Sequence, residues 1–365
     1  MKPNKIIFVC DSRDYHAMDW YHTVKDICNT NNVFVATDII ADLDNNLILE
    51  DDNILELRNI NFLLFNNQSR ISDIWRNFIK LLSSFFQVYK LRKLSKTYPN
   101  SIFHAHSMYY IFLCWLARLN FIATPMGSDV LVRPDQSFFY RLITRYALKF
   151  ADVITVDSVS MQKKVSELSS RNSFIVQNGI DVSLINSFLV KSSKRDNVVS
   201  IRGFYPNYQI EKIIDSRLAS KLDTSISFVY PFYDVNYRNA ILTEFIKGDK
   251  DFGRLPKNEL YSLLVSSYLV LSIPESDSSP RSVYESIFSG ACVAVSYSAW
   301  VDSLPSCMQE RVVVVDLSDH LWFNKALNDA KIITQTPYIP SHEALVEYDQ
   351  YESMKNVCKE IYRFI

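Results

Sequence analysis

The chain has 365 residues, 48% of them hydrophobic and 22% charged, with a formal net charge of −1. That length suits two α/β domains of ordinary size, and that composition excludes a disordered chain. A near-neutral charge balance gives no global pull toward nucleic acid, so any anion binding has to be local.

At the start, Asp11 follows the apolar run Ile6-Ile7-Phe8-Val9-Cys10 too soon for the core of a signal peptide. The run is expected to be a first β-strand. Similar β-branched and aromatic runs at residues 33–35, 62–65, 101–103, 152–156 and 173–176 read as buried parallel strands. Helical spacing fills residues 18–29, 74–94 and 138–150, and strand–helix alternation implies right-handed βαβ units. The text turns polar around Lys191 to Asn197, and a second series of runs begins at residues 198–201, 226–230, 268–272, 292–295 and 311–315. The expected division is therefore 1–190, 191–345 and a terminal helix 346–365, with Met354, Val357, Ile361 and Tyr362 on one face. No run approaches 18 apolar residues, so no membrane span is expected. Six cysteines occur without a C-x-x-C pair, which suggests neither zinc nor a disulfide framework and fits a reducing cytoplasm.

Chemistry concentrates between Tyr268 and Ser296: a strand, a polar loop, a helix, the stop at Gly290 and another strand. Ligands of open α/β sheets bind beyond the carboxyl ends of strands, where a helix start offers N–H groups to phosphate. Ser279, Pro280, Arg281, Ser282 and Val283 form the expected cradle. Asp277 lies in the loop and Glu285 one turn into the helix. Carboxylates are poor phosphate ligands but good acceptors for ribose and sugar hydroxyls, so the pairing points to a nucleotide sugar.

The stretch resembles the acidic-x7-acidic motif of family-4-type retaining glycosyltransferases, with Asp277 and Glu285 at the acidic positions, although the first is more often Glu there. Other passages resemble that family in the same order. Arg202, after the strand 198–201, looks like its diphosphate-binding arginine, but the lysine usual five residues later is Asn207, leaving Lys212 or Arg281 to substitute. Gly253-Arg254-Leu255-Pro256 resembles its base-flanking loop and puts Arg254 near the donor. Residues 101–106, ending in His104 and His106, and residues 124–130, a strand ending in Gly127-Ser128-Asp129, look like its acceptor-side landmarks, as do 150–156 and 177–181.

The resemblance implies the GT-B fold, two Rossmann-like domains facing a cleft with a C-terminal helix crossing back to the first. It also implies sugar transfer with retention from a UDP- or GDP-linked donor to a glycan or lipid-linked saccharide, in bacterial surface polysaccharide synthesis and without a cofactor or metal. His106 would lie near the reacting sugar, and Asp129 near the acceptor or orienting His106. Where relatives carry a glycine pair after the first strand, this chain has Cys10-Asp11-Ser12-Arg13-Asp14-Tyr15-His16, making Asp11, Arg13 and His16 acceptor-side candidates. The missing glycine pair and the missing lysine at Asn207 keep a non-catalytic glycosyltransferase-like subunit open as an alternative, and the shared architecture keeps open a sugar-nucleotide 2-epimerase. Asp42-Leu43-Asp44 and Asp249-Lys250-Asp251 match a D-x-D metal pattern by chance. The basic, aromatic segment from Trp75 to Lys93 is a candidate for peripheral contact with the inner face of a membrane.

Overall fold

A computed structural model describes residues 5–28, 31–38, 47–63, 70–177, 179–190, 194–277 and 279–363. The chain divides into two compact units, Met1–Asn178 with Tyr351–Ile365, and Gly179–Gln350. Asp42 and Asp44 lie outside the described residues.

In the first unit β1 (Ile6–Val9), α1 (Tyr15–Cys28), β2 (Val33–Thr37) and β3 (Ile54–Glu56) are followed by α2 (Arg70–Thr97), β4 (Ile102–His106), α3 (Met108–Ala117) and β5 (Phe121–Thr124). Then come α4 (Gly127–Leu131), α5 (Arg133–Gln136), α6 (Phe138–Lys149), β6 (Val153–Val156), α7 (Val159–Ser169) and β7 (Phe174–Ile175). The sheet is parallel, in the order β3-β2-β1-β4-β5-β6-β7. Central β1 pairs with both β2 and β4 and is buried on both faces, which is why its sequence is an unbroken apolar run. Alternation sends Ile7 and Val9 into one core, shared with α2, α3, α6 and α7, and Ile6 and Phe8 into another, shared with α1 and the chain's last helix.

The second unit holds α8 (Val182–Leu189), β8 (Asn197–Ser200), α9 (Ile210–Ala219), β9 (Ser227–Val229), α10 (Val235–Thr243), β10 (Lys250–Gly253), α11 (Lys257–Val265) and β11 (Ser267–Ser272). It continues with α12 (Arg281–Phe288), β12 (Cys292–Ser296), α13 (Ala299–Asp302), α14 (Ser306–Gln309), β13 (Val312–Val315), α15 (Trp322–Ile333) and α16 (His342–Tyr348). Its parallel sheet runs β10-β9-β8-β11-β12-β13. Both sheets thus contain the doubly wound order 3-2-1-4-5-6, whose direction of winding reverses between β1 and β4 in one and between β8 and β11 in the other. Those two crevices are where ligands bind in such sheets.

Four details differ from the sequence reading. Residues 61–63 form a 3₁₀ turn where 62–65 were expected to be a strand, and Leu64 and Phe65 lie outside the described residues. The strand expected to run through Gly127-Ser128-Asp129 stops at Thr124; Pro125 ends it, and those three residues open α4. The division falls before Gly179 rather than after residue 190, because α8 buries Val182 and Ile185 in the second core. Asp349 takes an extended conformation between α16 and α17 (Gln350–Asn356), so the terminal segment is not one helix, and it finishes in a π-helical turn, Val357–Ile361.

Candidate functional site

At the β8/β11 crevice the chain leaves β8 through Arg202 and Gly203. A Cβ on Gly203 would lie 2.2 Å from the Phe232 ring, so any larger residue at this turn would have to push that ring aside. Arg202 Nε donates to Ser272 Oγ at the end of β11 (2.6 Å), and its Nη2 sits 2.7 Å from Asp277 Oδ2. The two side chains are 11% and 20% exposed, shielded enough for the charges to feel each other strongly yet open to exchange partners. Tyr208 stands 5.8 Å from the guanidinium, and burial raises the pKa of its phenol against the opposing Arg202 charge. The loop carrying Asp277 is tied down by Glu275 N–H donating to the Asn207 carbonyl (2.8 Å), Gln209 Nε2 to the Ile273 carbonyl (2.9 Å) and Ser296 Oγ to the Pro274 carbonyl (2.7 Å). Asn207, which stands where the family resemblance leads one to expect lysine, serves this loop through its backbone.

Helix α12 starts at Arg281, capped by Pro280. Its first turn is partly self-satisfied: the Arg281 amide donates to the Ser279 carbonyl (3.0 Å), and the Val283 and Tyr284 amides donate to that of Pro280 (2.8 and 3.3 Å). The Val283 side chain is fully buried, so the cradle expected from 279 to 283 is narrower than its sequence. Glu285 is 8% exposed; its Oε1 accepts from Tyr261 Oη (2.9 Å) and lies 3.5 Å from Arg281 Nε. Burial, reinforced by Glu285, pushes the Tyr261 phenol far up and keeps it a donor. Of the two cations considered in place of the missing lysine, Arg281 is the first residue of α12 and Lys212 is exposed on α9. Arg254 is exposed just past Gly253, whose φ is +59°. The carboxylates of Asp249-Lys250-Asp251 are both held by arginines: Asp249 pairs with fully buried Arg217 (2.7 Å) and Asp251 with Arg238.

The β1/β4 crevice has another character. Asp11 and Arg13 pair with each other at 3.3 Å. Asp14 caps α1, its carboxylate accepting the His16 amide (3.0 Å) and its carbonyl the Met18 amide (2.9 Å). Burial, with the charges of Asp11 and Asp129 adding to it, lifts the Asp14 carboxyl to about 6 despite the opposing His16 and Ala17 amides. His106, at the end of β4, is 2% exposed, stacked 5.6 Å from Phe8 and edge-to-face with Trp20 at 5.2 Å, and its Nε2 has no partner among the described residues. Burial, then charge on nearby His16, lowers its pKa to about 3, so the imidazole is neutral. His104 is a core residue between Tyr362 Oη and Thr124 Oγ1. Asp129 has both oxygens engaged, by the Met108 and Met126 amides (2.8 and 3.2 Å), Arg133 (3.0 Å) and Tyr140 (2.9 Å); it organises α3 and α4 and makes no hydrogen bond to His106. Gly127 is the first residue of α4. Sequence reading missed Asp14, Ser272 and Tyr261. Asp14 carried a cap signal, an Asp before a helix, which says nothing of burial.

Residues 5–158 match the family model described as Glycosyl transferase 4-like. The fold is GT-B. Among solved structures, Anabaena Alr3699/HepE in complex with UDP and glucose is 12% identical with a TM-score of 0.72, covering 98% of this chain and 99% of that one. Sucrose-phosphate synthase from Thermosynechococcus elongatus is 11% identical at 0.72, covering 99% and 98%. A Listeria monocytogenes structure described as a UDP-N-acetylglucosamine 2-epimerase is 11% identical at 0.61, covering 100% and 98%. No curated protein matches the chain in sequence.

Proposed function

We propose that this chain is a glycosyltransferase that moves a sugar, with retention, from a UDP- or GDP-linked donor to a hydroxyl of a glycan or lipid-linked saccharide in bacterial surface polysaccharide synthesis. The observation that carries the reading is the meeting of Arg202 and Asp277 at the β8/β11 crevice. Asp277 occupies the guanidinium edge that a diphosphate would take, so donor binding exchanges one anion for another. The released carboxylate then accepts from a donor sugar hydroxyl. Glu285, held by Tyr261 and Arg281, takes the ribose hydroxyls, while Arg281 and the Ser282 amide face the phosphates.

In the transfer step the bond from the anomeric carbon to the phosphate oxygen breaks and a bond to the acceptor oxygen forms on the same face. The acceptor proton passes to the leaving phosphate oxygen, so neither an enzymic nucleophile nor a metal is required. Arg202 stabilises the charge that grows on the leaving group. His106, being neutral, acts in the reacting region as a hydrogen-bonding group and not as a charged acid. The matched family and the likeness to a UDP- and glucose-bound structure support this reading.

The Listeria likeness motivates epimerisation as the second reading. Incubation with a nucleotide-sugar panel, following free nucleotide with and without a saccharide acceptor, separates the two. Acceptor-dependent release is expected; release without any acceptor favours the epimerase, and binding without turnover favours a non-catalytic subunit. Glu285→Ala should abolish donor use, and unchanged transfer would sink the site assignment.

A further inference from the structure

Helix α2 is built inside out. The face it turns inward carries Ser83, Ser84 and Gln87 among Ile79, Val88, Leu91 and Leu94, and Gln87 Nε2 donates to buried Asp38 (2.9 Å). The outward stripe, Ile74, Phe78, Leu81, Leu82, Phe85 and Tyr89, recurs at helical spacing and is 49–75% exposed. An ordinary surface helix has the opposite arrangement.

The apolar surface continues beyond α2. Helix α3 packs beside it, with Arg92 Nη2 donating to the Leu116 carbonyl (2.7 Å), and Trp115 of α3 stacks on Tyr146 of α6 (6.5 Å). On α6, Phe138 and Phe139 are 74% and 76% exposed. Residues 74–97 hold six Lys and Arg, residues 138–149 hold three, and neither segment contains an Asp or Glu. At the end of α2 a groove of about 430 Å³ is lined by Tyr89, Arg92, Lys93, Lys96 and Arg118. No helix among the described residues is long and apolar enough to cross a membrane.

We propose that the outward face of α2 and α6 rests on an anionic bilayer, with a lipid phosphate headgroup seated in the groove between Tyr89 and Arg118. Aromatic side chains interleaved with cations suit the interfacial layer, where rings sit at headgroup depth and Lys and Arg meet lipid phosphates. A protein partner or a second copy of this chain would have to supply the carboxylates, since residues 74–97 and 138–149 hold none to reciprocate. The docking is independent of the transfer chemistry and is tested without nucleotide.

The full chain is sedimented with vesicles of phosphatidylcholine alone or mixed with phosphatidylglycerol. Pelleting with the mixed vesicles only, reversed by salt, is expected. Lys93→Glu with Lys96→Glu should weaken it by on the order of fivefold per cation, and Phe85→Ser with Tyr89→Ser should weaken it further. Both cations are exposed, so the charge pair alone decides the matter if the apolar pair does not fold. Equal pelleting with neutral vesicles, or no response to the charge pair, overturns the proposal. So does a rise in melting temperature with inorganic phosphate while vesicles leave the chain in solution, or a concentration-dependent dimer that Phe85→Ser dissolves.

Discussion

The two crevices share a strand order and differ in electrostatics. At β8/β11 each acid faces a base, Asp277 with Arg202 and Glu285 with Arg281, at 2.7 and 3.5 Å. At β1/β4, half-buried Asp14 and buried His106 lack a paired counter-charge, and both are pushed toward their neutral forms. Partnered charges can be exchanged for those of a ligand, whereas unpartnered buried groups keep a pocket neutral and make it costly to charge. The same scaffold thus offers one crevice suited to an anion and one suited to uncharged hydroxyls.

Removing the cation that anchors the first crevice is the largest test of that contrast. Arg202→Met should lower donor turnover by about 10²–10³-fold, the loss typical of one stabilising group at a developing anion. Folding should be little affected, because Asp277 is 20% exposed and can be hydrated once alone. Turnover within a few-fold of wild type, in a protein with a native melting curve, would show that the crevice's charges serve structure only.

The second crevice is tested through stability. The Asp14 carboxyl is raised to about 6 from an ordinary value of 3.8, so its contribution is fully present below pH 3.8 and is lost as pH rises through 6. An asparagine at this position would keep the cap and escape that loss. Asp14→Asn should therefore match wild type near pH 3.5 and be more stable above pH 7 by on the order of 1–3 kcal/mol, read from urea unfolding across pH. The His106 contribution runs the other way, being lost as pH falls from its ordinary 6.5 through about 3, but it is common to both proteins and cancels in the difference. An asparagine variant less stable at pH 8 would remove the idea of a crevice strained by a buried acid.

Legibility in the sequence followed the same division. Arg202, Asp277 and Glu285 were readable because their spacing and their places after strands are local properties. Their partners Ser272 and Tyr261 were not, since only folding brings residues 70 and 24 positions apart into contact. Strand β1 announced itself by burial on both faces, whereas the edge strand Ile54–Glu56, with exposed ends and three residues, had no pattern to show. Asp14 looked like any capping residue, and the polarity of the loop from Asp11 to His16 hid the apolar wall of Phe8 and Trp20 beside it. That loop, the chief departure from the family pattern, lies inside the matched stretch, residues 5–158.

The smallest effect concerns the rim of the neutral crevice. Asp11 and Arg13 are 23% and 38% exposed, so Asp11→Asn should change stability at pH 7 by no more than about 0.5 kcal/mol. Its charge nevertheless adds to the lift on Asp14, after burial. Without it Asp14 ionises more readily, and the pH at which wild type loses stability moves down from about 6. Following the Asp14 carboxyl by NMR through a titration separates the causes. A lowered midpoint shows the rim charge reaching into the pocket, while an unmoved midpoint leaves burial as the whole reason that this crevice, unlike its counterpart, holds an acid it has not paired.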